Sequence, residues 1–364
     1  MKLEYLSFLI KPASSRCNLH CPYCFYEDVS SRREKVCGEM MDEALMELLI
    51  DRAIQETSDT AHITLAFQGG EPMLVGLEFY EKLTAYAEKK KGGRTFAYAI
   101  QTNGTLIDEA WAEFFAKKHV LVGVSLDGYE SNTNKFRIDK KGKGMFGKIM
   151  EGIGYLKRAG AEYNILSVIT AQLASHPEAY YKFMKSQGIS HVQCIPCLGE
   201  LDRKTQWELD ADGYEKFFKR LFRIWLADYM QGDYMSIGLF DNLLLMFADC
   251  PPQQCGMLGF CTAQFVVESD GNVYPCDFYV LDEYCCGNLR EKTVEEILTS
   301  EAMKMFLQEE KIVPKICETC SFWNLCRGGC KRQNTCYLQE KRCGHQEFLK
   351  EAAPMLYRIA NSLR

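Results

Sequence analysis

The cysteines of this chain are distributed very unevenly along its 364 residues. Three lie between Cys17 and Cys24, and most of the others lie between Cys250 and Cys343. A general need for small buried side chains would spread cysteines more evenly. In a compartment that keeps thiols reduced, such clusters indicate metal or redox sites rather than disulfides. The distribution therefore predicts metal centres in two regions of the chain.

The sequence predicts that this compartment is the cytoplasm. The N-terminus has an early Lys2, lacks a long apolar run and reaches Lys11 and Pro12 at once, unlike a secretory signal peptide. No apolar stretch approaches the roughly 20 residues that span a membrane. A formal net charge of −6 with scattered basic residues gives no nucleic-acid-binding patch. We therefore expect neither a membrane nor a nucleic acid as partner.

Short apolar segments alternate with helix-like segments over the first 200 residues. The predicted strands are Tyr5–Ile10, Ile63–Phe67, Phe96–Gln101, Val120–Ser125, Tyr163–Ile169 and His191–Ile195. The predicted helices lie near 42–56, 77–91, 108–118, 145–159 and 175–187, with Asp108 as an N-cap or first-turn acid. Strands that are apolar on both faces are typical of a buried parallel sheet. The pattern predicts repeated βα units, in an open barrel or a doubly wound sheet.

The second half of the chain follows a different pattern. An amphipathic helix is predicted over 211–231, with its aromatic face in the core. The Ser269-Asp270-Gly271 turn predicts a hairpin between Phe265–Glu268 and Asn272–Tyr274. A last helix is predicted from about Gln346 to Leu363.

The first cysteine cluster has the spacing C-x3-C-x2-C and follows the first predicted strand. Cys17, Cys21 and Cys24 could hold a [4Fe–4S] cluster, which normally takes four cysteine ligands. Three ligands would leave one iron open, as catalytic zinc sites leave one position open. The alternative is a zinc site that takes its fourth ligand from elsewhere in the chain.

This motif, together with Gly69-Gly70-Glu71-Pro72 after the second strand, resembles the radical S-adenosylmethionine (SAM) superfamily. The resemblance implies that the three cysteines hold a [4Fe–4S] cluster whose open iron is chelated by SAM. It also implies a partial (β/α)6 TIM-like barrel, in which the Gly-Gly-Glu-Pro segment meets the SAM amino group. The chemistry is consistent, because glycines allow close backbone approach and a carboxylate suits an ammonium.

The C-terminal cysteines resemble the SPASM extension of radical SAM enzymes. Zinc ribbons are the alternative for C-x2-C-like pairs, although zinc sites are usually more compact. The resemblance implies a cysteine-rich α+β domain with two auxiliary [4Fe–4S] clusters, for a total of three. One cluster would take Cys255, Cys261, Cys276 and Cys330, and the other Cys317, Cys320, Cys326 and Cys343. Cys336 is a rival of Cys343, and it is otherwise expected to be a free thiol, as are Cys37, Cys194, Cys197, Cys250, Cys285 and Cys286.

A closer resemblance covers nearly the whole chain. Segments that look like anaerobic sulfatase-maturating enzymes are Cys21–Tyr26, Phe67–Pro72, Gln101–Ile107, Gln264–Gly271 and Tyr274–Tyr279. These enzymes oxidise a serine or cysteine of a sulfatase to Cα-formylglycine, within the motif C/S-x-P/A-x-R. The main rival is a SPASM enzyme that modifies a ribosomally synthesised precursor peptide.

The resemblance implies a mechanism with Asp277 as general base. A 5′-deoxyadenosyl radical would remove hydrogen from the substrate Cβ, and Asp277 would take the hydroxyl or thiol proton. The second electron would leave through the auxiliary cluster that Cys276 ligates. Base and electron acceptor are therefore expected to be neighbours.

Further residues take expected roles from the resemblance. Those expected to bind SAM are Gln68, Gly69, Gly70, Glu71, Ser125 and Leu198, with Arg137 at its carboxylate. Tyr26 and Gln101 are expected to face the substrate. The expected partners are an unfolded or nascent sulfatase and a flavodoxin- or ferredoxin-type electron donor. The predicted domains are a radical SAM barrel over 1–235, a SPASM domain over 236–345 and a C-terminal helix over 346–364.

Overall fold

The computed structural model describes residues 2–36 and 38–362, so Cys37 lies outside the described residues. The strands are β1 Leu3–Lys11, β2 Thr57–Phe67, β3 Thr95–Thr102, β4 Leu121–Ser125, β5 Tyr163–Ile169, β6 His191–Pro196, β7 Ser236–Ile237, β8 Phe265–Glu268, β9 Asn272–Tyr274, β10 Gly287–Asn288, β11 Leu338–Gln339 and β12 Arg342–Cys343. The helices are α1 Phe25–Ser31, α2 Glu43–Glu56, α3 Leu77–Lys90, α4 Glu109–Lys118, α5 Glu130–Phe136, α6 Phe146–Ala159, α7 Pro177–Ser186, α8 Ala211–Tyr229, α9 Gly238–Phe247, α10 Val294–Leu298, α11 Glu301–Gln308, α12 Trp323–Cys326 and α13 Gly344–Ser362.

The chain forms two compact units, each assembled from separate segments. The first unit contains the described residues of Met1–Ser125, Arg137–Tyr163 and Ala263–Glu309. The second unit contains Leu126–Phe136, Asn164–Thr262 and the described residues of Glu310–Arg364. The cysteine-rich hairpin segment therefore joins the first unit, whereas the last cysteines belong to the second.

The first unit is built on parallel strands. Its strands are hydrogen-bonded in the order β10-β9-β8-β1-β2-β3-β4, where β8, β1, β2, β3 and β4 are parallel neighbours and β8, β9 and β10 are antiparallel. In this register Ile10 pairs with Phe67, and Lys11 pairs with Glu268. The carboxyl ends of β1, β2 and β8 therefore lie at one edge, which is where parallel α/β sheets place their sites.

Helices cover this unit, and α4 begins at the predicted N-cap Asp108. The Asp108 carboxylate accepts a hydrogen bond from Trp111 N (3.0 Å) at the start of α4. Removing such an N-cap typically costs about 1 kcal/mol. In the core, α2 packs on α3, and α4 packs on α6. The strand side of the core includes the buried side chains of Phe8, Ile63 and Leu65.

The second unit contains the parallel strands β5, β6 and β7, in that order. The aromatic face of α8 is buried, as predicted, with Phe217, Phe218 and Trp225 in the core. Helix α13 packs on α8 and α9. This contact is close at Gly344, where an added Cβ would lie 2.2 Å from Ala211 O.

The predicted α/β class with parallel strands is confirmed, and β7 and β10 each have one strand neighbour among the described residues. The β8–β9 hairpin has the predicted bounds. Strand β2 begins at Thr57, six residues before the predicted Ile63, because polar residues interrupt the apolar pattern there. The domain boundaries after 235 and 345 stay predictions. Among the described helices, none combines the length and apolar character needed to cross a membrane.

Candidate functional site

The loop after β1 carries the three-cysteine motif and leads directly into α1. Cys24 precedes the helix, and its N–H donates to Cys21 O (2.9 Å), while Leu19 N donates to Cys17 Sγ (3.4 Å). Burial raises the pKa of Cys17 to about 11 and also raises the pKa of Cys24. Such thiols hold their protons at neutral pH and release them when a metal binds.

The Gly-Gly-Glu-Pro segment packs against this cysteine loop. A Cβ added at Gly70 would lie 2.0 Å from Arg16 O, a separation that no side chain permits. Gly69 has a φ of 125°, which only glycine adopts readily. The next residue, Glu71, donates its N–H to Arg16 O (2.7 Å). The two glycines therefore bring Glu71 beside the cysteine loop.

The Glu71 carboxylate is completely buried and fully hydrogen-bonded. It accepts from Thr102 Oγ1 (2.7 Å), Met73 N (3.1 Å) and Asn103 N (2.8 Å). Burial raises the pKa of Glu71 to about 7, although these hydrogen bonds act to lower it. A cationic group bound beside it would favour the ionised form. The segment is thus chemically suited to an ammonium ligand.

Asn103 connects β3 to the first cysteine of the motif. Its Nδ2 donates to Asn18 Oδ1 (2.8 Å) and lies 3.8 Å from Cys17 Sγ. Asn18 in turn donates to Thr105 Oγ1 (2.9 Å). Asn103 was not predicted as a site residue, although its place directly after β3 in Gln-Thr-Asn-Gly is a signal. Amide donors toward a sulfur stabilise its thiolate form.

The Asp277 carboxylate is held by two side chains from neighbouring strand ends. Asp277 Oδ1 lies 2.5 Å from Lys11 Nζ, and Asp277 Oδ2 accepts from Gln68 Nε2. The Lys11 side chain is 0% exposed, and its Nζ lies 3.6 Å from the Tyr26 ring centroid. Lys11 was not predicted as a site residue, although a lysine inside a buried apolar strand is a signal. The carboxylate is therefore fixed at both oxygens and chemically able to accept a proton.

A second buried carboxylate, Glu268 at the end of β8, lies beside this group. Its Oε1 accepts from the Tyr26 hydroxyl and lies 3.2 Å from Arg33 Nη1. Its Oε2 accepts from Ser14 Oγ (2.8 Å). Burial raises the pKa of Tyr26 well above its usual value, and the Glu268 charge adds to this. The phenol therefore stays protonated and keeps its ring fixed under Lys11. Neither Glu268 nor Arg33 was predicted.

The other residues predicted to contact SAM or the substrate are divided between the two units. Gln101 Nε2 donates to Ser125 Oγ (3.0 Å) at the ends of β3 and β4. Arg137 is buried in the first unit, with its Cζ 5.7 Å from the Tyr23 ring centroid. Leu198 is buried in the second unit, after β6. Their roles toward SAM or substrate stay predictions, as does that of Gln68.

One pocket in the second unit is lined by cysteines. Its lining includes Cys317, Cys320, Cys326 and Cys343, and it holds about 350 Å³, part of which is open to solvent. Gln346 directs two donors at sulfur, from its N–H to Cys343 Sγ (3.3 Å) and from its Nε2 to Cys320 Sγ (3.2 Å). Thiolates that ligate iron–sulfur clusters accept such hydrogen bonds. Four thiols lining one pocket are the donor chemistry of the second auxiliary cluster.

Cys336 has a different environment from Cys343. Its thiol is completely buried and donates to Cys197 O (3.3 Å). Burial raises the pKa of Cys336 to about 12. Among the described residues, the pocket lining includes Cys343 but not Cys336.

The remaining predicted ligands are divided between the units. Cys255, Cys261 and Cys330 belong to the second unit, and Cys276 belongs to the first. Arg332 N donates to Cys330 Sγ (3.4 Å). Within residues 2–36 and 38–362, no three Cys, His, Asp or Glu side chains are grouped closely enough to share one metal ion.

Comparison with known proteins identifies both halves of the chain. The radical SAM superfamily model matches residues 12–184, and the SPASM iron–sulfur cluster-binding domain model matches residues 259–321. The chain is 43% identical over 334 residues to a cysteine-type anaerobic sulfatase-maturating enzyme of Clostridium novyi, covering 91% of this chain and 89% of that protein. A serine-type enzyme of Bacteroides thetaiotaomicron is 30% identical over 345 residues, covering 90% and 83%. Native anSMEcpe with bound AdoMet and the Cp18Cys peptide matches the fold with a TM-score of 0.91 and 38% identity, covering 99% of this chain and 100% of that one.

These matches confirm the predicted superfamily, the SPASM domain and the oxidoreductase class. They also support SAM, iron–sulfur clusters and a peptide substrate as what this kind of enzyme binds. Because the similarity extends over nearly the whole length of both proteins, the chain belongs to the anaerobic sulfatase-maturating enzymes of the radical SAM superfamily.

Proposed function

We propose that the enzyme oxidises a cysteine or serine of a sulfatase, within C/S-x-P/A-x-R, to Cα-formylglycine. The greater identity to the cysteine-type relative, 43% against 30% for the serine-type relative, favours cysteine. The observation that carries the proposal is the Asp277 carboxylate, which Lys11 and Gln68 hold at both oxygens. A base fixed in this way suits removal of a thiol or hydroxyl proton.

The oxidation removes one hydrogen atom, one proton and one electron from the substrate side chain. With serine this gives the aldehyde directly. With cysteine it gives a thioaldehyde, which water hydrolyses to the aldehyde with release of hydrogen sulfide. When bound, SAM and the clusters would supply the radical that takes the hydrogen atom and the acceptor for the electron. The protein itself handles the proton. Asp277 accepts it, while the Lys11 ammonium and the Gln68 amide keep the carboxylate in one orientation.

The first unit provides the groups for SAM and its cluster. We assign Cys17, Cys21 and Cys24 as the cluster ligands, and Glu71 as the carboxylate toward the SAM ammonium. The raised pKa of Glu71 supports this role, since a bound ammonium would offset the cost of its burial. Arg137 is the candidate for the SAM carboxylate, because a buried guanidinium suits such a partner.

We assign two auxiliary [4Fe–4S] clusters to the remaining cysteines, for three in total. The cysteine-lined pocket favours Cys343 over Cys336 as the last ligand of the second. Cys255, Cys261, Cys276 and Cys330 are assigned to the first auxiliary cluster. The proposed partners are an unfolded or nascent sulfatase and a flavodoxin- or ferredoxin-type donor in the reducing cytoplasm.

An anaerobic assay tests this function. The reconstituted protein is incubated with SAM, dithionite and one of three peptides, which carry cysteine, serine or alanine at the target position of x-x-P-x-R. We expect 5′-deoxyadenosine and an aldehyde on the cysteine peptide, less product on the serine peptide and none on the alanine control. SAM cleavage that leaves the cysteine and serine peptides unmodified would contradict the sulfatase function. Modification of a ribosomally synthesised precursor peptide would instead support the rival function, that of a SPASM peptide-modifying enzyme.

A further inference from the structure

Lys311 bridges separate loops of the second unit through its ammonium group. Its Nζ donates to the backbone carbonyls of Gly259 (2.8 Å), Arg327 (2.5 Å) and Gly329 (2.7 Å). A lysine ammonium has three donors and no acceptor. All three donors therefore have a protein acceptor, although a polar side chain of this kind is usually solvated at the surface.

The three carbonyls come from the loops that carry auxiliary cysteines. Gly259 lies two residues before Cys261, Arg327 directly follows Cys326, and Gly329 directly precedes Cys330. The loops also touch each other, since a Cβ added at Gly259 would lie 2.7 Å from Cys326 O. The Lys311 ammonium is thus hydrogen-bonded to the backbone that positions these thiols.

The backbone is shaped to receive this ammonium. Arg327, Gly328 and Gly329 have consecutive positive φ values of 46°, 78° and 65°. Such a run is uncommon and orients carbonyls in ways that regular structure does not. A Cβ added at Gly328 would lie 2.7 Å from Val313 Cγ1. The glycines therefore allow the loop to close and to aim two carbonyls at the lysine.

Cysteines of both proposed auxiliary clusters influence the pKa of Lys311. Burial lowers the pKa of Lys311, and the thiolates of Cys326, Cys261, Cys330 and Cys317 act in the opposite direction. Cys317 and Cys326 belong to one proposed ligand set. Cys261 and Cys330 belong to the other. One ammonium therefore lies within electrostatic reach of two sets of thiolates.

We propose that Lys311 is a fixed positive charge that raises the reduction potentials of both auxiliary clusters. The proposal rests on the proposed function, because it takes the two ligand sets as assigned above. A cluster with four thiolate ligands is anionic and gains further negative charge on reduction, so a nearby cation favours the reduced form. Because the ammonium is tethered to three carbonyls, its distance from the clusters is fixed. Lys311 is thus a positioning residue that makes the clusters better acceptors of the substrate electron.

The test measures cluster potentials rather than turnover. The full chain carries Cys17→Ala, Cys21→Ala and Cys24→Ala, so that only the auxiliary clusters remain, and anaerobic redox titrations are followed by electron paramagnetic resonance. Lys311→Met, Lys311→Gln and Lys311→Arg are compared in this background. The matched control is Lys315→Met, which removes an exposed lysine two residues before Cys317.

We expect Lys311→Met and Lys311→Gln to lower the midpoint potentials and Lys311→Arg to restore them. A tenfold loss in the reduction equilibrium constant corresponds to about 59 mV for one electron. Lys315→Met should give a much smaller shift, because solvent screens an exposed charge.

Three outcomes would overturn the proposal or its basis. Unchanged potentials in Lys311→Met and Lys311→Gln, with clusters retained, would show that the charge does not tune them. Loss of clusters in Lys311→Arg as well as in Lys311→Met would show that Lys311 acts through loop geometry alone. Absence of auxiliary iron from the parent background would instead contradict the cluster assignment in the proposed function.

Discussion

The two cysteine-bearing regions are organised in different ways. In the first unit, the three proposed cluster ligands come from one loop of eight residues, Cys17–Cys24, and the strand ends around it supply Glu71, Asn103 and Asp277. In the second unit, the pocket cysteines come from Cys317 through Cys343, and Lys311 and Gln346 tie their loops together. Regular strands thus position the side chains of the first region, whereas individual side chains hold the cysteine-bearing loops of the second.

This difference predicts which substitutions affect turnover and which affect the iron content or the cluster potentials. Changes at the strand ends should alter catalysis and spare the metal content. Changes among the C-terminal loops should alter metal content or potential. Substitutions in each region test that division.

Asp277→Asn should retain the clusters and lose turnover by about 10²–10⁴-fold, because the amide cannot accept the substrate proton. Formation of the aldehyde peptide and iron content are measured on the same preparation. Asp282→Asn is the matched control, since Asp282 is an exposed aspartate five residues further along. Normal turnover in Asp277→Asn would rule out its role as the base.

Cys343→Ala should lose about four of the roughly twelve irons expected for three cubane clusters. Cys336→Ala should keep its full iron content, because Cys336 is buried against Cys197 O rather than lining the pocket. Iron and sulfide analysis after anaerobic reconstitution distinguishes the two variants. The reverse pattern would make Cys336 the ligand.

Lys11→Met should slow aldehyde formation by up to about a hundredfold, because Asp277 loses a partner that fixes its position. The double variant Lys11→Met/Asp277→Asn should be no slower than Asp277→Asn alone, since Lys11 acts through Asp277. Lys82→Met, which breaks only exposed ion pairs with Glu43 and Glu78, serves as the control. Additive losses in the double variant would give Lys11 an independent role.

Glu71 should make the stability of the SAM-free protein depend on pH. Its folded-state pKa of about 7 lies above the usual value of 4.5, so its protonated form favours the folded state. The contribution of Glu71 to the free energy of unfolding is fully present below pH 4.5. It is lost as the pH rises through about 7, and the total loss is up to about 3 kcal/mol. Urea unfolding of wild type and Glu71→Gln between pH 5 and 8 should show the difference between them changing in that direction. A difference that is independent of pH would contradict the raised pKa.

The sequence predicted the strands well because each strand is a short apolar run. The first six observed strands all overlap the predicted ones, and the β8–β9 hairpin matches to the residue. The cysteine motif and Glu71 were also recognisable, since their spacing along the chain is itself the signal.

The sequence pointed to Gln68 and Tyr26 but not to the charged residues around Asp277, because these are distant in sequence. Lys11, Arg33 and Glu268 meet only when β8 pairs with β1, a parallel pairing that no local pattern encodes. Burial of Lys11 depends on an ion pair that forms only after this pairing. The cysteine-lined pocket likewise required three-dimensional information, because the sequence left Cys336 as a rival of Cys343.

The proposed oxidation is tested most directly by following hydrogen from the substrate. A C-x-P-x-R peptide in which deuterium replaces both Cβ hydrogens of the target cysteine is incubated anaerobically with the reconstituted enzyme, SAM and dithionite. We predict 5′-deoxyadenosine carrying one deuterium and, in matching amount, a peptide with an aldehyde at the target residue. Unlabelled 5′-deoxyadenosine together with an unaltered peptide would contradict the proposed oxidation.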